Sequence, residues 1–418
     1  MRGACKMHSV TFACRKSEAE YYWIMQIEET VRYCLACLNP RCVASCPCGN
    51  AINAIMSSLK QGKEEEAAKT LYTTNPFPEL TSLLCDHDRQ CKGHCVRGIK
   101  GKPVDFPSIE AYLGQKYPFP YRKKEANGLH VAIVGAGPSA LSAAVFLSSE
   151  GADVTIYEKE ESLGGAMLTG IPSFRLGKAV LAQIKERLDA LGVNFRFGVT
   201  INKEILKTLR KDYDEVLLAV GASKENDLGL VPSKYILHAL PFLRSFNLQN
   251  GFDPLPGAHH IVVMGGGNVA MDASRSLIRL GKKVTLIYRR DEASMPAQRK
   301  EIFEAKEDGV AFMPLTNLAE PLFEGEKLVG LKLVKMELGE KDESGRPSFH
   351  VIEGSEFDFP CDAFMMAIGE KSGVSALCEA EDEHLHFIGD CRYGARNIAA
   401  AIKDGREAAK TLLAKNAK

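Results

Sequence analysis

The sequence predicts an α/β protein in which a helical, cysteine-rich region precedes two βαβ units. These units carry the glycine loops "GAGPSA" and "GGGNVA", each between an apolar strand and a helix, about 130 residues apart. Ten of the 13 cysteines lie before residue 96, so the start of the chain has a chemistry of its own. We therefore expect a cysteine-rich region to about residue 120 and, after it, two lobes built on parallel sheets.

The length and composition are those of a globular protein with more than one domain. A chain of 418 residues exceeds what a single hydrophobic core usually holds. Because Lys plus Arg and Asp plus Glu both number 53, the chain lacks the basic excess that binds nucleic acids or anionic membranes. No segment has the roughly 18 apolar residues of a membrane span, and the start has no signal-peptide-like run. We expect a cytoplasmic protein without a nucleic-acid or membrane partner.

The cysteine-rich region has a helical pattern. In "AINAIMSSL", four apolar residues recur at the spacing of one helix face, namely Ile52, Ile55, Met56 and Leu59. The later segment "YPFPYRKKEANGLH" contains two prolines, a basic run and a glycine, which is typical of a linker. The region should therefore end near residue 120.

The first glycine loop has the features of a dinucleotide-binding turn. Gly135 permits a tight turn after the strand, Gly137 lets the backbone approach a pyrophosphate, and Ala140 allows close helix–strand packing. Glu158 ends the second strand, 23 residues after Gly135, where a carboxylate can accept hydrogen bonds from a ribose. This favours FAD or NAD, and the alternative is an ordinary βα turn with a surface glutamate. The loop residues that we predict to bind are Gly135, Gly137, Pro138, Ser139 and Ala140.

The second glycine loop predicts a different nucleotide. Its second strand ends in Arg289 and Arg290, and a guanidinium there matches the 2′-phosphate of NADPH better than a free ribose hydroxyl. A solvated basic edge is the alternative. The loop residues that we predict to bind are Gly265, Gly267, Asn268 and Val269.

The end of the chain runs from a strand into a long alanine-rich helix, with Asp390 at the end of the strand. The N-terminus of such a helix can stabilise negative charge on a reduced flavin. The alternative is a helix that only packs against the fold.

The cysteines form two candidate ligand groups, Cys34-x2-Cys37-x4-Cys42-x3-Cys46-Pro47 and Cys85-x5-Cys91-x3-Cys95. In bacterial two-cluster ferredoxins, a run that ends in Cys-Pro sends its fourth thiolate to the other cluster. On that logic, Cys34, Cys37 and Cys42 hold one cluster together with the distant Cys95. The other cluster would have only Cys46, Cys85 and Cys91, and so it lacks one cysteine ligand.

Zinc and a disulfide framework are the alternatives for these cysteines. Zinc also uses C-x2-C pairs, but the Cys-Pro ending and a neighbouring flavin site favour iron–sulfur chemistry. A disulfide framework is uncommon in a reducing compartment. We expect Cys5, Cys14 and Cys48 to be free thiols.

Seven segments together resemble one known family. They are "YCLACLNPRCVASCP", "LCDHDRQCKGHC", "VAIVGAGPSAL", "VTIYEKEESLGGAMLTGIPSFRL", "VVMGGGNVAMD", "LIYRRDEASMP" and "FIGDCRYG…AIKDGREAA". The set resembles the small subunit of bacterial glutamate synthase. It is also similar to the N-terminal half of dihydropyrimidine dehydrogenase and to the bacterial flavin subunit of that enzyme. The resemblance covers roughly residues 30 to 415, in order.

The resemblance implies a domain order. A helical domain with two 4Fe–4S clusters would occupy residues 1–120, followed by two interleaved Rossmann-like lobes. The FAD-binding lobe would comprise residues 128–255 and 361–418, and the NADPH-binding lobe residues 256–360 between them.

The resemblance also implies ligands. One cluster would take Cys34, Cys37, Cys42 and Cys95, and the other Cys46, Cys85, Cys91 and one residue that is not a cysteine. Relatives have a glutamine or glutamate shortly after the last cysteine, and the matching residue in "KPVDFPSIEAY" is Glu110. The implied FAD positions are the first glycine loop, Glu158, Gly165, Ala166, Arg175, Gly389 and Asp390. The implied NADPH positions are the second glycine loop, Arg289, Arg290, Ala367, Ile368 and Gly369.

These implications point to an electron-input oxidoreductase that passes electrons from NADPH through FAD and two clusters to a partner protein. We name no catalytic acid or base, since hydride transfer depends on positioning. The leading partner is a glutamate synthase large subunit. A pyrimidine-reducing partner or another electron-transfer complex is the alternative.

Two other classes of protein are weighed against this interpretation. A self-contained disulfide reductase would need a C-x-x-C beside the flavin, which Cys361, Cys378 and Cys391 do not supply. A non-catalytic scaffold would not retain both glycine loops.

Overall fold

The structure, a computed structural model, describes residues 18–231, 233–341 and 345–416, with no side-chain description for residues 18–24 and 223. Cys5 and Cys14 lie outside the described residues. No helix in the described ranges combines the length and the apolar character that a bilayer crossing requires.

The described part of the cysteine-rich region is helical, as predicted. Its helices are α1 (Glu18–Tyr33), α2 (Arg41–Ala44), α3 (Ile52–Lys60), α4 (Glu64–Tyr72), α5 (Pro78–Leu84) and α6 (Phe106–Lys116), with a 3-10 turn at Val96–Ile99. Helix α3 buries Ile52, Ile55, Met56 and Leu59, which confirms the predicted apolar face. These side chains belong to a core that the helical domain builds for itself.

Residues 130–225 alternate strands and helices. The elements are β1 (His130–Val134), α7 (Pro138–Ser149), β2 (Asp153–Tyr157), α8 (Ala166–Thr169), α9 (Ala179–Ala190), β3 (Asn194–Arg196), α10 (Lys203–Asp212), β4 (Glu215–Leu218) and β5 (Ala222–Glu225). The middle residues of β1 and β2 are buried on both faces of the sheet, as is usual for parallel strands between helices.

Residues 236–366 contain a second unit of the same plan and a β-meander. The elements are β6 (Ile236–His238), α11 (Ala239–Leu248), β7 (His260–Met264), α12 (Asn268–Arg279), β8 (Lys283–Tyr288), α13 (Arg299–Glu307), β9 (Ala311–Pro314), β10 (Thr316–Glu324), β11 (Lys327–Lys341), β12 (Pro347–Val351), β13 (Phe357–Pro360) and β14 (Ala363–Met366). A 3-10 turn, Glu292–Ser294, lies between β8 and α13. Strands β10 to β13 form an antiparallel sheet around β11.

The last described segment returns to the first unit. It contains β15 (Glu370–Ser372), a 3-10 turn (Val374–Ala376), β16 (Leu385–Phe387), α14 (Asp390–Tyr393) and α15 (Ile398–Asn416). Strand β16 pairs with β4, and β15 pairs with β5 in an antiparallel ribbon.

Two five-stranded parallel sheets organise the two lobes. The first has the strand order β16-β4-β1-β2-β3 and the second the order β6-β14-β7-β8-β9. Because the chain leaves the first sheet after β4 and rejoins it with β16, the second lobe is inserted into the first. The α/β class and the interleaving of the two lobes are thus confirmed.

The strand pairing moves both predicted boundaries of the second lobe. Strand β14 pairs with β6 on one side and with β7 on the other, so both edges of this lobe lie outside residues 256–360. Helix α11 also contributes Ala239, Phe242 and Leu243 to the core of the second lobe. The predicted boundaries were too narrow because short strands without a glycine loop give no motif in the sequence.

The predicted linker between the helical domain and the first lobe has no helix and reaches a strand only at its last residue, His130, yet it is anchored. The hydroxyl of Tyr121 donates to the carbonyl oxygen of Tyr72 in α4. The ring of Tyr121 also meets the ring of Phe146 in α7 edge-on, with centroids 5.4 Å apart. These contacts join the helical domain to the first lobe.

Candidate functional site

The first glycine loop turns tightly between β1 and α7. Gly135 has φ +103°, and a Cβ at this position would lie 2.5 Å from the carbonyl oxygen of Ala219 after β4, so only glycine fits. Helix α7 begins at Pro138 without a side-chain cap. Its first N–H groups are therefore available to an anion, and the helix dipole favours negative charge there.

The predicted FAD positions meet around this turn. A Cβ on Gly165 would lie 2.9 Å from Cα of Gly137, and one on Gly389 would lie 2.5 Å from Oγ of Ser139. The N–H of Ala136 donates to Oε2 of Glu158 at 2.7 Å. The tertiary structure thus brings residues from three distant parts of the chain to one turn.

The geometry at Gly137 fits a bound pyrophosphate. A Cβ there would have no heavy atom within 4 Å, whereas the neighbouring Gly135 is crowded by backbone. The backbone at Gly137 is extended and suits any residue, so the protein itself does not require glycine at this position. An open face beside uncapped helix amides is what a dinucleotide needs.

The second glycine loop repeats this arrangement. A Cβ on Gly265 would lie 2.2 Å from the carbonyl oxygen of Ala367, so the predicted turn of Ala367, Ile368 and Gly369 lies against the loop. Gly267 is open in the same way as Gly137, and α12 begins without a side-chain cap. Oδ1 of Asn268 instead accepts a hydrogen bond from the N–H of Gln298 at 3.0 Å. Val269 packs beside the core of the second lobe.

The two arginines after β8 have different environments. Arg289 is exposed, whereas Arg290 is 4% exposed and donates from Nε to the carbonyl oxygen of Pro347 at 2.6 Å. Both guanidinium groups lie over the ring of Phe349, at 4.4 and 4.9 Å from its centroid. Partial burial, followed by the neighbouring Arg290, lowers the pKa of Arg289. Arg289 thus keeps an exposed guanidinium group, while Arg290 fastens the β11–β12 hairpin.

Arg175, an implied FAD position, lies in an ion-pair network between the lobes. Its Nη1 is 2.6 Å from Oδ2 of Asp272, and its Nε is 2.9 Å from Oε1 of Glu301. All three side chains are at most 6% exposed. Burial raises the pKa of Asp272 to about 7, against the opposing effect of Arg175. Arg175 thus ties the first lobe to α12 and α13 of the second.

Four predicted cluster ligands line one cavity in the helical domain. They are Cys34, Cys37, Cys42 and Cys95, which we call the outer set. Backbone N–H groups of Ala36 and Val104 each donate to a sulfur of this set at 3.4 Å. Such hydrogen bonds tune the potential of an iron–sulfur cluster.

The remaining predicted ligands, Cys46, Cys85, Cys91 and Glu110, form what we call the inner set. Burial raises the pKa of Cys85, and the adjacent Glu110 and Cys46 raise it further. Cys91 also lines the cavity of the outer set, so it lies between the two groups. Iron would have to displace the protons of these thiols, since metal-bound cysteine is a thiolate.

Glu110 is 4% exposed and belongs to a buried polar cluster. Its Oε1 accepts hydrogen bonds from Asn50, Asn75 and Thr81 at 2.7, 3.1 and 3.0 Å. Burial raises the pKa of Glu110 to about 7, and these three hydrogen bonds oppose the rise. A buried carboxylate without a basic partner in this cluster fits a cation on its other side.

The described cysteines form no disulfide. All 11 are unpaired, including the buried Cys48, whose Sγ donates to the carbonyl oxygen of Thr74 at 3.4 Å. No three His, Cys, Asp or Glu side chains in the described ranges are grouped for a single metal ion.

Sequence reasoning missed three residues that connect the domains. Arg406 of α15 donates from Nη1 to the carbonyl oxygen of Cys48 at 2.9 Å. Arg89 donates to the carbonyl oxygens of Met295 and Pro296, each at 2.8 Å, and Nε2 of Gln298 donates to the carbonyl oxygen of Leu84 at 2.9 Å. No local pattern marks these contacts, because each joins residues more than 200 positions apart.

Two known families match consecutive parts of the chain. Residues 129–405 match the family "Pyridine nucleotide-disulphide oxidoreductase". Residues 12–118 match the family "Dihydropyrimidine dehydrogenase domain II, 4Fe-4S cluster". The chain is thus an oxidoreductase with an FAD- and NAD(P)H-dependent redox domain behind a 4Fe–4S domain.

Whole-chain relatives match nearly all of the sequence. The small chain of NADPH glutamate synthase from Escherichia coli K12 is 32% identical, with 90% of this chain and 88% of that protein covered. The protein AegA of the same organism is also 32% identical over 93% of this chain, which spans 65% of its length. Among solved structures, a 2-naphthoyl-CoA reductase complex shares the fold, with a TM-score of 0.55 and 18% identity over 87% of this chain and 49% of that one. The chain therefore belongs to the family of flavin- and iron–sulfur-dependent oxidoreductases that includes the small chain of NADPH glutamate synthase.

Proposed function

We propose that this chain is the electron-input subunit of a two-component oxidoreductase in the cytoplasm. It takes electrons from NADPH and passes them through FAD and two 4Fe–4S clusters to a partner protein. The counterpart that we favour is the glutamate synthase small chain, with the final acceptor on a large subunit. The similarity to that small chain over most of its length supports this choice.

The observation that carries the proposal is the position of the two cysteine sets. Cys46 and Cys85 of the inner set pack against the core of the first lobe. Cys34, Cys42 and Cys95 of the outer set pack against the core of the helical domain, and Cys46 contacts both cores. This order supports a route from the flavin lobe to the inner set, then to the outer set, and from there to a partner.

The residues of the two lobes support the assignment of the nucleotides. The uncapped start of α7 and the carboxylate of Glu158 suit the pyrophosphate and ribose of FAD. The uncapped start of α12 suits the pyrophosphate of NADPH, and the exposed Arg289 suits its 2′-phosphate. Arg290 keeps the hairpin in place and has no phosphate role in this proposal.

Positioning is the main task of the protein groups. FAD supplies the link between a two-electron hydride donor and one-electron iron–sulfur acceptors. Hydride transfer needs alignment and no proton, so we assign no catalytic acid or base. The pairs that Arg175 forms with Asp272 and Glu301 hold the two lobes in one alignment.

A pyrimidine-reducing complex is the second candidate. The match of residues 12–118 to a dihydropyrimidine dehydrogenase domain favours it. A self-contained disulfide reductase is not favoured, because Cys361, Cys378 and Cys391 are unpaired and widely spaced.

Purified chain from iron-supplemented cells tests the proposal. We expect one FAD and roughly eight irons per chain, the content of two four-iron clusters. Anaerobic NADPH should bleach the flavin and iron–sulfur absorbance together, and NADH should do so more slowly. A colourless protein that binds zinc would overturn the proposal. Co-expression with a glutamate synthase large subunit or a pyrimidine-reducing subunit then separates the two candidates by the product formed.

A further inference from the structure

Exposed apolar side chains lie on the two segments that carry Cys37 and Cys95 of the outer set. Leu38 is 97% exposed, Ile99 65%, Leu35 51% and Val96 37%. Leu35 and Leu38 flank Cys37, whereas Val96 and Ile99 bound the 3-10 turn that follows Cys95. Leu35 and Val96 line the same cavity as the cysteines. Clustered exposed apolar residues commonly mark an interaction site.

The two loops that carry these residues are fastened to each other. Nε of Arg97 donates to the carbonyl oxygen of Tyr33 at 2.9 Å, and its guanidinium lies 4.4 Å from the centre of the Tyr33 ring. The hydroxyl of Tyr33 donates to the carbonyl oxygen of Lys102 at 2.9 Å. The apolar residues are therefore presented on a preorganised surface, which lowers the entropy lost on binding.

Basic side chains lie close to these apolar residues in the sequence. Arg41, Lys100 and Lys102 are exposed, and none of them forms an ion pair with a described carboxylate. The segment between Gln90 and Asp105 contains Lys92, Arg97, Lys100 and Lys102 and no acidic residue. The chain as a whole carries 53 basic and 53 acidic residues, so this excess of positive charge is local.

We propose that this surface, formed by Leu35, Leu38, Val96, Ile99, Arg41, Lys100 and Lys102, docks an acidic redox protein. The partner would place an apolar patch with an acidic rim over the outer set, and its own redox centre would accept one electron at a time. This inference rests on the proposed function, which makes the outer set the exit for electrons. Small interfaces with an apolar centre and charged rims are typical of transient redox complexes.

Reduction of defined acidic carriers tests the docking surface. The holoprotein is reduced with NADPH and mixed with an acidic two-iron ferredoxin or an acidic flavodoxin, and a small redox dye reports electron flow from the flavin. For Leu38→Asp with Ile99→Asp, we expect carrier reduction to slow about tenfold or more, as loss of a central apolar anchor does. Dye reduction and iron content should stay at the wild-type level. Val231→Asp, at a residue 75% exposed in the segment between β5 and β6, is the control and should change none of these rates.

The contribution of the basic residues Arg41, Lys100 and Lys102 is tested by the salt dependence of carrier reduction. Wild-type carrier reduction should slow as ionic strength rises, because salt screens attraction between exposed charges. Lys100→Glu with Lys102→Glu should slow it at low salt and remove most of the salt dependence. Equal carrier rates in wild type and all variants would overturn the docking proposal, as would a wild type that reduces the dye but neither carrier. A wild type that does not reduce the dye with NADPH would instead contradict the proposed function.

A second copy of the chain and a membrane are the other possible partners for this docking surface, and each gives a distinct experimental result. Self-association of the wild type that Leu38→Asp abolishes, with unchanged carrier reduction, would assign the surface to a second copy of the chain. Co-sedimentation with vesicles of anionic phospholipid, with unchanged carrier reduction, would assign it to a membrane. Either result would overturn the proposal.

Discussion

The side-chain amide of Asn50 donates to Oε1 of Glu110 across 2.7 Å, at the centre of the helical domain. Asn75 and Thr81 donate to the same oxygen. Three donors on one oxygen orient the carboxylate, so its other oxygen, Oε2, is the atom that we propose as the iron ligand. The neighbours of Glu110 thus act as positioning residues for the inner set.

Replacement of Glu110 tests this assignment. Glu110→Ala should lower the iron content from roughly eight to roughly four per chain, because one cluster loses a ligand. FAD content should remain near one per chain. Thr81→Val is the control, since it removes one hydrogen bond to Glu110 and leaves the carboxylate in place. It should lower the free energy of unfolding by about 1 kcal/mol and retain full iron. Unchanged iron in Glu110→Ala would exclude the ligand role.

The two arginines after β8 should respond differently to replacement. Arg289→Ala should raise the KM for NADPH about tenfold or more and leave that for NADH nearly unchanged, because a charged hydrogen bond to the 2′-phosphate is lost. Arg290→Ala should instead lower the melting temperature, since Arg290 supports the hairpin through Pro347. Steady-state kinetics with both nucleotides separates these effects. A similar loss with NADPH and NADH in Arg289→Ala would show that this residue does not read the phosphate.

The open glycines give a second test of the nucleotide sites. Gly137→Ala should leave the fold intact, since its Cβ has no protein atom within 4 Å, yet the methyl group should block the pyrophosphate of FAD. Gly267→Ala should weaken NADPH binding in the same way. We expect purified Gly137→Ala protein to contain little flavin and to keep its iron. Gly257→Ala, at an open and exposed site before β7, at the end of that strand opposite the second glycine loop, is the control and should bind both nucleotides normally. Normal flavin content in Gly137→Ala would contradict the site.

Arg406 is expected to couple the flavin lobe to the helical domain. Arg406→Leu removes the hydrogen bonds to the carbonyl oxygens of Cys48 and Thr74. The loss should lower the free energy of unfolding by about 2–4 kcal/mol, because two carbonyl groups lose a charged donor. Stopped-flow absorbance should show flavin reduction at the normal rate and slower reduction of the clusters. Glu407→Gln, which removes only the charge of the surface partner of Arg406, should have little effect. Equal cluster reduction in wild type and Arg406→Leu would limit Arg406 to a stabilising role.

Lys178 should make the free energy of unfolding depend on pH above neutrality. Burial lowers the pKa of Lys178 from 10.5 to about 8, although its Nζ donates to the carbonyl oxygens of Met167 and Ile171. Between these two pH values the unfolded chain binds more protons than the folded chain, so the free energy of unfolding should rise with pH. Below pH 8 both states carry the proton, so the slope vanishes and the free energy of unfolding stays at its lower value. Chemical denaturation of wild type and Lys178→Met across pH 7 to 10 tests the difference in slope. Parallel curves would show that Lys178 has an ordinary pKa in the folded protein.

Local motifs made part of the fold and the site predictable. The loops at Gly135 and Gly265 were recognisable because a strand, a glycine turn and a helix follow one another within a few residues. The face of α3 was predictable because helical periodicity is local as well. Glu110 had no local signal and came only from the family resemblance.

The boundaries of the lobes and the roles of the two arginines were not predictable from local patterns. Strand β6 has three residues and no glycine loop, and only its pairing with β14 assigns it to the second sheet. Arg289 and Arg290 are adjacent in sequence and chemically identical. Their difference arises from the β11–β12 hairpin, which places the carbonyl oxygen of Pro347 beside one of them.

The sequence by itself determined the chemistry that this protein can carry. It contains seven candidate cysteine ligands, two glycine turns that suit a phosphate group and a guanidinium at the end of β8, because residue types and short spacings are local properties. Only the tertiary structure decided how these parts are ordered. It packs Cys46 and Cys85 of the inner set against the core of the first lobe and leaves Leu38 and Ile99, on the segments that carry the outer set, exposed. That order depends on contacts between residues hundreds of positions apart, such as Arg406 and Cys48, and such contacts form when cores pack together.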